Sequence, residues 1–450
     1  MHQTEAENDK GRIPAEMIVI VYTTRYREGG ARFEHAATTL EAEKRAAHPG
    51  VEVIREATES KKEFIAALER ISALNRTIKE LHFIGHSGMY GPMFGTRSWP
   101  EQFSPYEWRS LTIPFTAGAA AWFHSCRSAR WFAPFFARTF GVAAYGNHWY
   151  TSFSRRPERF VWPGPRPAVS SPLYVISCPG KKSHGLLGSV MKYSGFMKTE
   201  QIRRFEPCEP DGDASYNSVA HLYDDVFTDI TVRADEWQWL SAHLPLGQGL
   251  RVLDIGCGNG ALLARLAGRI ATGIGVDRSE EMISHAEKRH AGTTNLSFIT
   301  IDGPLLPFPD RSFDVVISFL SFRYLDWDPI MNEIRRVLVP GGRLLVVDMV
   351  TAPVRIAELP QFVTSKIRNF LQLRQKPGYR AALRRMVSDP NWKTLLKHNP
   401  IRAEHEFKWY LESRFPGKKT AILNIGWHSR VIAFDSGALA PGTVEPLRYP

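Results

Sequence analysis

From residue 16 onward, short unbroken apolar runs alternate with runs of helical period. EMIVIVYTTRY (16–26), VEVIREA (51–57), ELHFIGHSG (80–88) and AGAAAWFHSC (117–126) read as buried strands. KKEFIAALERISALN (61–75) spaces its apolar residues as an amphipathic helix does. SARWFAPFFARTFG (128–141) predicts a second helix, stopped by Gly141 before another strand, VAAYGN (142–147). Such alternation implies a mostly parallel sheet covered by helices. Proline and glycine then crowd 157–181, and EPCEPDGD (206–213) is polar and rich in turn residues, so a domain junction is expected near 200. Beyond it, 221–244 has helical spacing suited to capping a cleft, and strand-like runs recur between 250 and 350. A basic helical insertion is expected at about 352–415. KTAILNIGWHSRVIAFDSG (419–437) predicts two strands around a turn at Gly426–Ser429. The expected layout is two α/β domains, 1–200 and 201–450.

The second domain opens on RVLDIGCGNG (251–260), an apolar strand running into a turn with glycines at 256, 258 and 260. Asp277 ends the next strand, 23 positions after Asp254. Glycines without Cβ atoms let a ligand approach the backbone, the following helix offers unpaired N–H groups, and a carboxylate at a strand end can hold ribose hydroxyls. Gly256, Gly258 and Ala261 alone also satisfy a dinucleotide-binding pattern, so the neighbours decide. LSFITID leading to Asp302-Gly303, FDVVIS ending at Ser318, and VLVPGGRLLVVD (337–348) follow in order. This set resembles the class I S-adenosyl-L-methionine-dependent methyltransferases, nearest the ubiquinone and menaquinone methyltransferases. The resemblance implies a Rossmann-like, seven-stranded sheet with an antiparallel last strand. It also implies that Asp254 and the backbone of Gly256, Cys257, Gly258 and Gly260 meet the methionine end, Asp277 the ribose, and Asp302 with Gly303 the adenine amino group. Arg278 and Met282 would pack on the adenine face, with Ser318 at the end of the fourth strand. Cys257 reads as a small filler rather than a nucleophile.

Methyl transfer asks the protein mainly to align donor and acceptor and to exclude water. FLSFRYLDWD after the fourth strand lacks the NPPY-type tetrapeptide of amino-methylating DNA enzymes, which disfavours nucleic acid. For a phenol or enol acceptor a base would help, and His428, Tyr324, His405 and His221 are the candidates. Phe319, Phe322, Tyr324, Trp327, Trp409, Tyr410 and Trp427 suit either an apolar acceptor or a packed core. The expected acceptor is a small molecule or a peptide.

In the first domain, one apolar strand ends with His86 and the next major one with Cys126. Parallel strands bring both to the carboxyl edge of the sheet, where catalytic groups of open sheets gather. Beside an imidazole, a thiol becomes a nucleophile. Over roughly 15–155 this resembles the caspase-like cysteine peptidases and the bacterial CHAT-type domains, which implies a His86/Cys126 dyad and a peptidase or peptide-processing role. The pattern departs from those families at Ser87, which separates His86 from Gly88, and at His124-Ser125 before the cysteine. An active dyad and a retained fold without activity both stay open. IGHSGM fails as a hydrolase elbow because Met89 occupies the position that needs a small residue.

Composition changes little in this picture. Four cysteines (126, 178, 208, 257) without CxxC or zinc spacing fit a reducing compartment and no metal. The polar N-terminus is no signal peptide, and no apolar run spans a membrane, so a cytoplasmic location is expected. The net charge of +11 gathers between Arg355 and Lys397, where basic and apolar residues interleave. That insertion suits either a solvated helical cover over the active site or a peripheral membrane contact. RNA methylation driven by it would be strongly salt-dependent.

Overall fold

The computed structural model describes residues 15–439 except 28, 97–98, 155–159, 163–172, 177–189, 191–196, 208–215, 246, 248 and 400. The N-terminal twelve residues, Cys178, Cys208 and most of the two turn-rich stretches at 157–181 and 206–213 lie outside the described residues. The chain divides into two compact units, Met1–Asp211 and Gly212–Pro450.

The first unit is built from β1 (Ala15–Thr23), α1 (Gly30–Ala47), β2 (Glu52–Thr58), α2 (Lys61–Ala73), β3 (Arg76–Ile84), α3 (Pro105–Ser110), β4 (Phe115–His124), α4 (Phe132–Phe140), β5 (Ala143–Gly146) and β6 (Arg203–Phe205). The sheet order is β6-β5-β4-β3-β1-β2, parallel throughout except for β6. Both faces are covered, and β1 shows why its run is unbroken. Met17, Val19 and Val21 enter one core with Phe64, Phe83, Trp108 and Phe136, while Ile18, Ile20 and Tyr22 enter the other with Phe33 and Val53. Pairing of Arg203–Phe205 with β5 carries the first unit past the junction expected near 200.

Two expectations shift here. Helix α4 starts at Phe132 rather than 128, because the Ser128 hydroxyl donates to Phe123 O and Ser125 O (both 3.1 Å) and accepts from Asn147 N, holding that stretch as a turn. Strands β3 and β4 end at Ile84 and His124, so His86 and Cys126 stand beyond them, each two residues past the Ile84–His124 register pair.

The second unit holds α5 (Ala220–Val226), α6 (Ala234–His243), β7 (Arg251–Ile255), α7 (Ala261–Leu266), β8 (Thr272–Asp277), α8 (Glu280–His290), β9 (Leu296–Thr300), β10 (Phe313–Phe319), α9 (Trp327–Val337) and β11 (Leu338–Thr351). Four helices follow, α10 (Leu359–Gln375), α11 (Pro377–Ser388), α12 (Pro390–His398) and α13 (Glu404–Arg414), then β12 (Ala421–Ile425) and β13 (Ser429–Asp435). The seven-stranded sheet runs β9-β8-β7-β10-β11-β13-β12, with β13 alone antiparallel to its neighbours. The continuous helix expected over 221–244 is two helices, because Asp229 accepts from Thr231 N and caps a short 3₁₀ turn at Ile230–Val232.

Candidate functional site

The glycine loop sits between β7 and α7, and each glycine has a physical reason. Gly256, Gly258 and Gly260 all take positive φ (+76°, +53° and +74°), where side chains are strained. A Cβ on Gly256 would lie 2.3 Å from Ser321 Cβ, and one on Gly260 would lie 2.6 Å from the Phe298 ring. Gly256 N and Cys257 N donate to Val276 O (2.7 and 3.1 Å), folding the loop over the end of β8. Cys257 is buried with its sulfur against Gly275, where a Cβ would come within 2.7 Å of it. Burial, then Asp277 and Asp254, push its thiol well up, so it is a filler.

Asp277 shapes the loop as well as facing it. Its Oδ2 accepts from Gly258 N and its Oδ1 from Ser279 N, both at 2.9 Å. Burial raises its pKa against these donors. Each carboxylate oxygen retains a further lone pair for a hydroxyl donor. Asp254 is different: it is 1% exposed, and its Oδ1 has no hydrogen-bond partner. Burial, with Asp277 nearby, pushes its pKa up to about 8. A buried acceptor without a donor is costly. The cationic methionyl end of S-adenosyl-L-methionine is a group that would satisfy it, so the residues present fit that cofactor.

Other expected positions are arranged less simply. Arg278 and Asp302 form an exposed pair, 3.7 Å apart, rather than a packed platform. Gly303 turns with φ +95°. Met282 is 1% exposed in the first turn of α8, beneath its Ser279 cap. Ser318 does not face an open site. Its hydroxyl is fully buried, donates to Ile255 O (3.3 Å) and meets Ser321 Oγ at 2.8 Å, and Ser321 donates to the same carbonyl at 2.6 Å. The two serines therefore pin the end of β7 to β10.

The cap expected from 221–244 lies over the loop, through α5 and the turn after it. Asn259 donates to Asp224 Oδ1 (2.8 Å) and Phe227 O (3.1 Å), Arg289 donates to Asp224 Oδ2, and Ser279 Oγ donates to Asn217 Oδ1 (2.6 Å). Tyr223 stands 3.6 Å from where a Gly258 Cβ would be. Val226 and Phe227 pack with Ala382 and Met386 of α11, so the basic insertion roofs this cover.

Of the four candidate bases, Tyr324 bonds to the cover, and His221 lies on its helix α5 with an exposed side chain. The Tyr324 hydroxyl accepts from Tyr216 OH at 3.1 Å, and the Arg323 guanidinium lies 4.4 Å from its ring. Burial, then Tyr324, raises the Tyr216 pKa well above the usual phenol range. Arg323 is itself buried against Asp348. His428 is exposed on the β12–β13 turn, and His405 and His221 are exposed on helix surfaces. Phe322, Trp327 and Tyr410 belong to the core, where Trp327 packs on Tyr410 at 4.5 Å, rather than to a mouth.

In the first unit, the His86 ring meets the edges of Tyr26 and Phe33 (5.5 and 5.2 Å). Cys126 Sγ accepts from Thr151 N at 3.2 Å and lies 3.4 Å from Thr151 Oγ1. Arg127 takes φ +60° immediately after it, a strained turn for a side chain. A polar chain missed in the sequence runs nearby: His82 Nε2 to Glu80 Oε2 at 3.0 Å, and His82 Nδ1 to His124 Nε2 at 3.1 Å. Its residues alternate along β3 and β4, so they read as ordinary strand positions.

Comparisons with known proteins find methyltransferases. A family model described as a methyltransferase domain matches residues 252–342. A demethylmenaquinone methyltransferase of Clavibacter sepedonicus is 35% identical over 145 residues, 31% of this chain and 59% of that protein. A fatty-acid O-methyltransferase of Mycolicibacterium smegmatis is 39% identical over 104 residues, 22% of this chain and 38% of that protein. The chain thus spans less than two thirds of either relative. A solved S-adenosylmethionine-dependent methyltransferase from Aquifex aeolicus aligns with 49% of this chain and 97% of its own, at 18% identity and a TM-score of 0.32. With the glycine loop seated at the carboxyl edge of its sheet, the second unit carries a class I S-adenosyl-L-methionine-dependent methyltransferase domain.

Proposed function

We propose that this protein moves a methyl group from S-adenosyl-L-methionine to a small apolar acceptor, and that its first unit binds or processes the substrate. The observation that carries the first part is the partnerless, buried Asp254 carboxyl beside a glycine loop that side chains would fill. The cofactor supplies an electrophilic methyl on a sulfonium. Asp254 and the loop backbone hold its methionyl end, Asp277 its ribose hydroxyls, and Arg278 with Asp302 flank the adenine. The cover built on Tyr216, Tyr223 and Asp224 keeps water out, and exclusion of water strengthens every charge contact inside. The relatives' names point to quinone and fatty-acid acceptors, which supports an apolar acceptor over a peptide.

The contacts of Tyr324 support it as the residue that handles the acceptor's proton. Tyr216 donates to its oxygen, and the Arg323 guanidinium, paired with Asp348, lies over its ring. Binding of S-adenosylhomocysteine should be lost in Asp277→Ala by calorimetry, and unchanged affinity would refute this site. Tyr324→Phe should leave that affinity intact while lowering kcat by roughly 10² or more.

A second reading makes the chain a cysteine peptidase or peptide-processing enzyme with an accessory methyltransferase domain. It is supported by the placement of His86 and Cys126, each two residues beyond paired strand positions, and by the backbone N–H on the thiol. Alkylation of Cys126 that stays fast well below a free thiol's pKa of about 8.5, and slows in His86→Ala, would favour it. A slow rate indifferent to His86 would leave the first unit as a scaffold.

A further inference from the structure

Helix α10 presents two unlike faces. Phe362 and Ser365 are buried, with Phe362 against Trp427 at 4.6 Å. Leu359, Val363, Ile367, Phe370 and Leu371 are exposed, Phe370 by 61% and Ile367 by 55%. At 3.6 residues per turn these five fall within an arc of about 120°. Ile356, in the turn before the helix, is 88% exposed and Trp427 66%. A soluble protein rarely leaves so continuous an apolar stripe in water.

Charge identifies what covers it. Residues 359–388 contain Lys366, Arg368, Arg374, Lys376, Arg380, Arg384 and Arg385, and neither Asp nor Glu. Arg368 pairs with Asp235 and Arg385 with Asp225. Among the described residues Lys366, Arg374, Arg380 and Arg384 have no acidic partner, and all four are exposed. Lys366 and Arg374 border or lie within the arc of the stripe, where a long side chain can reach past apolar neighbours to a phosphate. No helix among the described residues is long and apolar enough to cross a membrane.

We infer that α10 docks this protein onto an anionic lipid bilayer, lying in the plane of the interface with its apolar stripe in the headgroup boundary and its cations on the lipid phosphates. The inference stands apart from the acceptor's identity, since it concerns the helix and not the transferred group. α10 joins α11, the same helix that roofs the cofactor cover. Docking therefore places the cover next to the lipid.

The test is flotation of the full chain with vesicles of phosphatidylcholine, with and without phosphatidylglycerol. The protein should float with the anionic vesicles and not the neutral ones, and added salt should release it. The double variant Ile367→Ser/Phe370→Ser should bind at least about tenfold more weakly. Lys366→Gln and Arg374→Gln should each cost roughly fivefold. Both sets should keep wild-type affinity for S-adenosylhomocysteine, which shows that they fold. Absence of flotation, or flotation unaffected by the substitutions, would overturn the inference. So would a wild-type dimer in sedimentation that Ile367→Ser/Phe370→Ser dissolves, because the stripe would then be a contact between two copies.

Discussion

Asp254 is the side chain on which the electrostatics of the second unit turn. Buried without a hydrogen-bond donor, its carboxyl holds a proton up to about pH 8, far above the usual carboxylate range. Below that pH a cationic ligand must displace the proton to gain an ion pair, so affinity for S-adenosyl-L-methionine should climb as pH rises from 6 toward 8, by up to about tenfold per unit. The sign for stability is opposite. The free protein keeps a proton that the unfolded chain has shed, so this carboxyl weakens the fold as pH rises from about 4 to 8. Asp254→Asn should lose most of the cofactor affinity, flatten its pH dependence and resist heat better at pH 8 without ligand. Calorimetry at several pH values and thermal unfolding check the three together. The carboxylate itself was legible in the sequence from its place before the glycines. Its missing partner was not, because a donor or its absence depends on which strands close around it.

Among elements, the strands were the most legible and the helices with mixed surfaces the least. β1 declares itself because both its faces are buried, whereas α1 buries only Phe33, Ala36 and Ala37 and shows little apolar rhythm in its sequence. The break between α5 and α6 depends on one cap, Asp229, inside an otherwise helical pattern. In β3 and β4 the chain Glu80–His82–His124 sits where apolar residues would be routine. Burial presses the His82 pKa down to about 4, and that of His124 lower than usual as well. Folded His82 stays neutral while the unfolded chain takes up a proton near pH 6.5, so the first unit should lose stability as pH falls from 6.5 to 4, by up to about 3 kcal/mol. Glu80 adds to this loss further down: burial works against its charge, but His82 and Lys44 hold its pKa near 2, so the stability it contributes is lost as pH falls from 4.5 to about 2. His82→Gln should remove the His82 share of the loss between pH 6.5 and 4 in denaturant titrations and leave that of His124, and an unchanged slope would refute this account.

For the molecule as a whole, two units with separate cores predict two separable unfolding events. S-adenosylhomocysteine at 100 times its Kd should stabilise the second by about 2.7 kcal/mol and leave the first where it was. Scanning calorimetry reads this directly, and a shift in both steps would mean that the units fold as one. The cofactor half could be recognised from five ordered motifs, since its chemistry needs glycines and acids at fixed strand ends. Its helical cap was legible as well, but the contacts that fasten it were not, because Asp224, Asn259 and Arg289 are brought together from segments up to 65 positions apart by folding alone. That shared carboxylate clasps the glycine loop on one side and α8 on the other. In the methyltransferase proposed above, cofactor leaving beneath this cover would wait on the opening of that clasp, and turnover would then follow how frequently it opens as well as how fast the methyl moves.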